Sequence, residues 1–359
     1  MKYNVLILGA SYGSLFGTKL LMAGHQVSLV CTKPTADLIN REGTVVRFPI
    51  KGRESLLDIR SKKLPGTLSA KTPDDIDPSK FDLVVLGMQE AQYGSPGVKE
   101  LMGRIAQARV PCLAIMNMPP LPYLKRIPGL STDSLVECYA DPAVWDGFDP
   151  ALTTLASPDP QAFRPPDQPK NILQVGLPTN FKAARFDGEA PTQMLRNLEA
   201  DIEAAKFDPG DGGDGANGPI EIPVKLKVHD SIFVPLAKWP MLMAGNYRCI
   251  RAEDMVSIKD AVHSEIDRSR EVYNWVWKLC NGLGADDSDM VPFEKYAKAA
   301  EGLGKPSSAA RALFGGAAHI ERVDCLVRRI ARQQGLQLET LNEIVTLVDQ
   351  RLKTNRNLA

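Results

Sequence analysis

Short apolar runs alternate with helical patterns over the opening third of the chain. Residues 5–8 read as a buried strand, 14–23 as a helix and 26–31 as a second strand. Two strands separated by one helix begin a parallel sheet, because parallel neighbours need a crossover that packs back on the sheet. Residues 83–86 and 112–116 are further apolar runs bounded by polar or turn residues, the pattern of strands covered on both faces. From 141 to 218 proline and glycine interrupt the pattern, as in Arg164-Pro165-Pro166-Asp167. Strand-like segments at 172–175 and 181–186 and a helix at 191–205 lie between these breaks, and 209–218 reads as a mobile surface loop. After Asp230 the periodicity is helical at 261–283, 308–334 and 340–352, the first of these stopped by Gly282 and Gly284.

A chain of 359 residues exceeds what one core organises, so two domains are expected. The boundaries predicted are 1–228 for an α/β domain, enlarged and loop-rich at about 141–218, and 229–359 for an all-helical one. Basic and acidic residues balance at 43 each, which gives no sign of a nucleic-acid partner. No apolar run reaches membrane-spanning length, and no secretory pattern opens the chain, so the expected location is cytoplasmic with no membrane partner. Cys31, Cys112, Cys138, Cys249, Cys280 and Cys325 are scattered singly, without metal or redox spacing. They read as reduced, small apolar residues, and no metal site is expected.

The first strand meets the first helix at Gly9-Ala10-Ser11-Tyr12-Gly13. Small residues at such a turn let a dinucleotide pyrophosphate approach the backbone, and the helix N-terminus favours the anion. The fold class follows: α/β, with an N-terminal Rossmann-type dinucleotide-binding domain followed by an all-helical C-terminal domain. Gly9, Ser11, Tyr12 and Gly13 are the candidate phosphate-binding residues. The same letters satisfy the hydrolase pattern G-x-S-x-G, but a nucleophile elbow follows a central strand rather than the first. Beyond the second strand come Thr32 and Lys33, with no carboxylate before Asp37. A carboxylate there would hold the ribose hydroxyls of NAD; hydroxyl and ammonium favour NADP over NAD.

The run 5–30, with Gly13-Ser14-Leu15-Phe16-Gly17 and Ala23-Gly24-His25, is similar to the start of ketopantoate reductases. So is Asn117 directly after the fourth apolar run. His229-Asp230-Ser231-Ile232, Leu236-Ala237-Lys238 and Asn246 resemble the family's later motifs, as do Pro306-Ser307-Ser308, Glu321 and Val327-Arg328-Arg329. Gln89 stands where the family carries a cofactor-touching lysine, and Leu242 where it carries a first asparagine. The resemblance implies an NAD(P)H-dependent reductase of a 2-oxo acid, ketopantoate-like or bulkier, yielding the 2-hydroxy acid.

Hydride transfer to a ketone builds negative charge on oxygen, which a positioned acid must neutralise. The resemblance assigns that role to Lys238. It gives Glu321 the substrate hydroxyl or the tuning of Lys238, with His319 and Asp324 as alternatives at that place. Asn246 and Ser308 would bind substrate, Asn117 would serve substrate and nicotinamide, and Gln89 would touch the cofactor. An apolar stripe on the C-terminal helices would support a homodimer. Two other readings compete: an opine-type dehydrogenase, which needs a histidine-centred acid–base pair, and a dinucleotide-binding sensor without catalysis.

Overall fold

The computed structural model describes residues 1–209 and 218–358. The expected loop at 209–218 lies largely outside the described residues. The chain forms two compact units. The first gathers residues 1–88, 95–116 and 146–230, and the second gathers 89–94, 117–145 and the chain from 231 onward.

The strands in chain order are β1 (Asn4–Leu8), β2 (Gln26–Val30), β3 (Val45–Phe48), β4 (Leu57–Arg60) and β5 (Thr67–Lys71). There follow β6 (Leu83–Leu86), β7 (Cys112–Ile115), β8 (Thr153–Ser157), β9 (Gln161–Phe163) and β10 (Ile172–Leu177). The last are β11 (Phe181–Ala184), β12 (Lys206–Phe207), β13 (Ile220–Glu221) and β14 (Leu226–His229). The helices are α1 (Tyr12–Met22), α2 (Lys33–Glu42), α3 (Val98–Ala108), α4 (Leu121–Leu124), α5 (Glu189–Ala204) and α6 (Lys238–Met241). They continue with α7 (Ile258–His263), α8 (Ile266–Gly282), α9 (Phe293–Ala300), α10 (Ser308–Phe314), α11 (Val323–Gln333) and α12 (Glu339–Leu358).

All strands belong to the first unit. Its main sheet has the order β14-β11-β8-β7-β6-β1-β2-β5. Every pairing in it is parallel except β8 with β11. Burial on both faces explains the sequence of the central strands: Val5 through Leu8 and Leu83 through Leu86 are all fully buried. The chain leaves β1 toward β2 and later returns to β1's other side as β6, so a topological switch point falls at β1. A second sheet, β4-β3-β10-β9, joins the same core through Val46, Phe48, Leu173 and Val175. The loop-rich stretch at 141–218 thus supplies strands to both sheets. His25 is structural: buried, its Nδ1 accepts the Tyr3 N–H at 3.2 Å, and its Nε2 lies 3.4 Å from Asp201.

The second unit is helical, with one isolated bridge between Ile250 and Met255 among the described residues. Two expected helices are corrected. The segment 261–283 is α7 and α8, broken at Ser264–Glu265, where Ser269 Oγ donates to the Val262 carbonyl that a continuous helix would have used (2.8 Å). The segment 308–334 is α10 and α11, because Gly315 and Gly316 stop the first and Gly316 takes φ +86°.

Candidate active site

The glycine turn shapes the candidate site of the first unit. Gly9 takes φ +101°, and a Cβ on it would meet Met88 Cγ at 2.7 Å and the Gly87 carbonyl at 2.9 Å. A Cβ on Gly13 would meet Ile7 Cγ2 at 2.6 Å. Gly13 therefore lets α1 pack tightly on β1, while Gly9 and Gly87 line the crevice beyond the C-terminal ends of β1 and β6. In open α/β sheets ligands bind in that crevice at the switch point. Ser11 precedes α1 without a side-chain cap, and no acceptor for the amides of Ser11, Tyr12 or Gly13 is found among the described residues. Three N–H groups at the start of an eleven-residue helix fit a pyrophosphate. The Tyr12 side chain is otherwise engaged: its hydroxyl donates to the Pro160 carbonyl at 2.6 Å, and its ring packs edge-on against Phe181.

At the end of β2, Thr32 precedes α2 and its hydroxyl donates to Thr35 Oγ1 at 3.1 Å. Lys33 is exposed and paired with Asp37 one turn on. An exposed pair of this kind is weak, so the ammonium remains available to a phosphate. The sequence reading missed Arg164, a half-buried residue following β9, whose charge acts on the Cys31 thiol. Among the described residues Arg164 has no ion pair. Nothing in the Pro-rich stretch signalled that the tertiary fold returns it to the end of β2.

The second unit holds a carboxylate cluster. Asn117, first residue after the strand-bearing segment 95–116, donates from Nδ2 to Glu321 Oε2 at 3.1 Å. The nearby backbone amides of Met118, Glu90 and Asn117 also favour the Glu321 carboxylate. Burial outweighs these donors and raises the Glu321 pKa to about 7. Glu321 nevertheless keeps some solvent-accessible surface. Glu90, absent from the sequence reading, is only 2% exposed. Both of its oxygens accept the Ala140 N–H, at 3.2 and 3.1 Å. Burial first, and then the charge of Glu321, raise Glu90 to about 7 against its backbone hydrogen bonds. Two carboxyls with pKa values raised to about 7 each change charge near neutral pH.

Of the alternatives to Glu321, His319 is exposed, and Asp324 is buried in a two-oxygen pair with Arg322 at 3.0 Å. The Glu321 backbone is anchored by Tyr247, whose hydroxyl donates to its carbonyl and accepts the Val323 N–H at 3.1 Å. Tyr247 opens the last turn of an irregular helical path. A 3-10 turn (Val234–Ala237) leads into α6, then a π-turn (Leu242–Asn246) and a second 3-10 turn (Tyr247–Cys249). Pro235 and Pro240 prevent a regular helix here. At the start of the π-turn the Met241 carbonyl also accepts the Tyr296 hydroxyl at 3.0 Å. Gly245 makes room for that hydroxyl, since a Cβ there would lie 2.0 Å from it.

Lys238 opens α6 and is partly buried. Leu242 is buried in the interior. The Asn246 carbonyl accepts the Ser307 hydroxyl at 2.6 Å, and its side-chain amide has no partner among the described residues. Ser307, rather than Ser308, caps α10 by accepting the Ala310 N–H, which leaves Ser308 exposed. Gln89 is exposed, its N–H donating to Gln92 Oε1 at 3.0 Å. The structure thus brings Asn117 and Glu321 into contact. Trp277 donates to Asp287 at 2.8 Å and Trp239 fills the core.

A parallel sheet with a glycine-lined crevice at its switch point, followed by a helical unit, defines a Rossmann-type dinucleotide-binding fold. The chain shares its fold almost end to end with the ketopantoate reductases. A PanE/ApbA family ketopantoate reductase from Ralstonia eutropha JMP134 matches with a TM-score of 0.61 and 16% identity over 98% of this chain and 99% of the other. D-mandelate dehydrogenase bound to NADH and anilino(oxo)acetate matches at 0.63 and 12%, over 98% and 99%. A dimeric ketopantoate reductase from Staphylococcus aureus matches at 0.60 and 12%, over 98% and 99%. No family model and no curated protein matches the sequence. Among the described residues no helix is long and apolar enough to cross a membrane, and no group of side chains is placed to hold a metal.

Proposed function

We propose that this chain is a nicotinamide-dependent oxidoreductase that reduces a 2-oxo acid to its 2-hydroxy acid. The observation that carries the reading is the meeting of Asn117 and Glu321, residues far apart in sequence, on a fold shared with such enzymes. Gly9, Gly13, Gly87 and the amides of residues 11–13 would hold the pyrophosphate. Thr32, Lys33 and the unpaired Arg164 favour the 2′-phosphate of NADPH. When bound, the cofactor supplies the hydride.

The chain's own residues handle charge and position. Lys238 protonates the developing alkoxide. Glu321, as carboxylate, accepts a hydrogen bond from a substrate hydroxyl, and Asn117 holds that carboxylate in place. Asn246 orients the substrate, and Ser308 binds its carboxylate. Buried Leu242 leaves one polar contact of ketopantoate unmade and favours a bulkier, more apolar side chain. The assembly proposed is a homodimer, read out by light scattering.

The test is fluorescence titration with NADPH and NADH, followed by cofactor oxidation with branched, aryl and short 2-oxo acids. Tight NADPH binding and turnover on a branched or aryl acid support the reading. Absence of binding to either nucleotide overturns it. Turnover that survives Lys238→Ala overturns the assignment of Lys238.

A further inference from the structure

One face of α11 carries Cys325 and Arg329, four residues apart and therefore side by side on the helix. Residues 131–138 are clamped along this face. Gln333 Nε2 donates to the Ser131 carbonyl at 2.8 Å and to Ser134 Oγ at 2.9 Å, while its Oε1 accepts the Ser131 N–H at 3.2 Å. Arg329 donates to the Ser134 carbonyl at 3.0 Å and pairs with Glu137. The clamp thus packs the turn that ends at Cys138, next to Glu137, against the face of α11 where Cys325 lies one turn before Arg329. The two thiols lie close enough to shift each other's protonation, Cys138 upward and Cys325 downward. Both are buried, at 3% and 7% exposure.

The six cysteines differ in environment. Burial pushes Cys31, Cys112, Cys249 and Cys280 upward, toward the unreactive thiol. Cys325 alone moves downward, held as thiolate by the neighbouring Cys138 thiol and by the charges of Arg322 and Arg329, against the opposing effects of burial and Asp324. A thiolate beside a second thiol is the arrangement of a redox-sensitive pair.

We propose that Cys138 and Cys325 form a reversible disulfide when the protein meets a small peroxide. The Cys325 thiolate attacks the peroxide O–O bond, forming a sulfenic acid and releasing hydroxide, or an alkoxide from an organic peroxide. Cys138 then attacks the sulfenic sulfur, the S–S bond forms, and the departing hydroxyl leaves as water with the Cys138 proton. In sum, two thiols lose two electrons and two protons, and hydrogen peroxide becomes two waters. The bond would join segment 131–138 covalently to α11, beside the two segments that meet at Asn117 and Glu321.

The test uses the reduced full chain and hydrogen peroxide, followed by denaturation, alkylation and mass spectrometry without reductant. The expected result is a linked peptide pair containing Cys138 and Cys325, with the mass of two hydrogens lost and restored by dithiothreitol. Cys138→Ser and Cys325→Ser each abolish the link, and Cys280→Ser retains it. Dimedone, added with peroxide to the wild-type protein, labels Cys325 and needs no variant to fold. Both thiols remaining alkylatable after peroxide, or Cys325 passing to sulfinic acid with Cys138 still free, overturns the proposal. Neither cofactor nor substrate enters the test, so it stands apart from the proposed activity.

Discussion

At the scale of single residues, burial competes with hydrogen bonds at Glu321, and burial wins. Removing one donor strengthens the winner. Asn117→Ala is expected to raise the Glu321 pKa further, moving the limb near pH 7 of the kcat/KM profile to higher pH. Glu321→Gln should erase that limb and lower kcat/KM by roughly 10-fold or more, the scale of a lost hydrogen bond to a charged group. A limb unmoved in both variants would assign it to another group. Asn117 and Glu321 were legible in the sequence as motif positions, whereas Glu90 was not. Beside Gln89, in Met88-Gln89-Glu90, it reads as one polar residue of a loop after a strand, and only the packing of 139–141 over it makes it buried. Gly13 illustrates the reverse case, a small residue whose need is visible at once. Gly13→Ala should cost about 1–3 kcal/mol in urea unfolding, because the added methyl displaces α1 from Ile7. It should also weaken nucleotide binding.

At the scale of elements, apolar periodicity identified β1, β2, β6, β7, β10 and β11 and the helices α1, α5 and α12, but not β5, β8 or β14, nor α2 and α3. It failed where helices end for reasons of side-chain chemistry. Ser269 satisfies the carbonyl at the break before α8, and no apolar spacing encodes that hydrogen bond. The π-turn after α6 is of the same kind. It persists because Tyr296 supplies a donor to Met241 from a separate helix, across the space left by Gly245. Tyr296→Phe should therefore destabilise the second unit by about 1 kcal/mol, the net worth of one buried hydrogen bond. Denaturant unfolding monitored by tryptophan fluorescence reads this out. A change within error would mean that the π-turn holds through backbone packing alone.

At the scale of the whole molecule, three buried charges govern stability against pH. Glu90 and Glu321 have folded pKa values near 7, above the usual carboxyl value of 4.5. Between about 4.5 and 7 the unfolded chain loses these protons first, so stability falls as pH rises, by roughly 3 kcal/mol for Glu90 alone. Lys19 behaves oppositely. It is buried against the Ile222 and Pro223 carbonyls, and its pKa falls to about 7. From 7 to about 10.5 the unfolded chain holds the extra proton, so stability rises with pH. Urea unfolding is expected to show a minimum near pH 7. Glu90→Gln should flatten its acid side and Lys19→Met its alkaline side. A monotonic profile through neutrality would refute both assignments.

The sequence by itself determined the class of fold, because strand burial and helix periodicity are local patterns that repeat along the chain. It determined the glycine turn between β1 and α1 as well, since glycine spacing between a strand and a helix is local too. Tertiary structure alone decided which distant residues meet. Arg164 returns to the end of β2, Glu90 turns inward beside Glu321, and Cys138 reaches Cys325 across the clamp on α11. Each of these depends on packing between segments far apart in the chain, and desolvation, which sets their chemistry, exists only once that packing has formed.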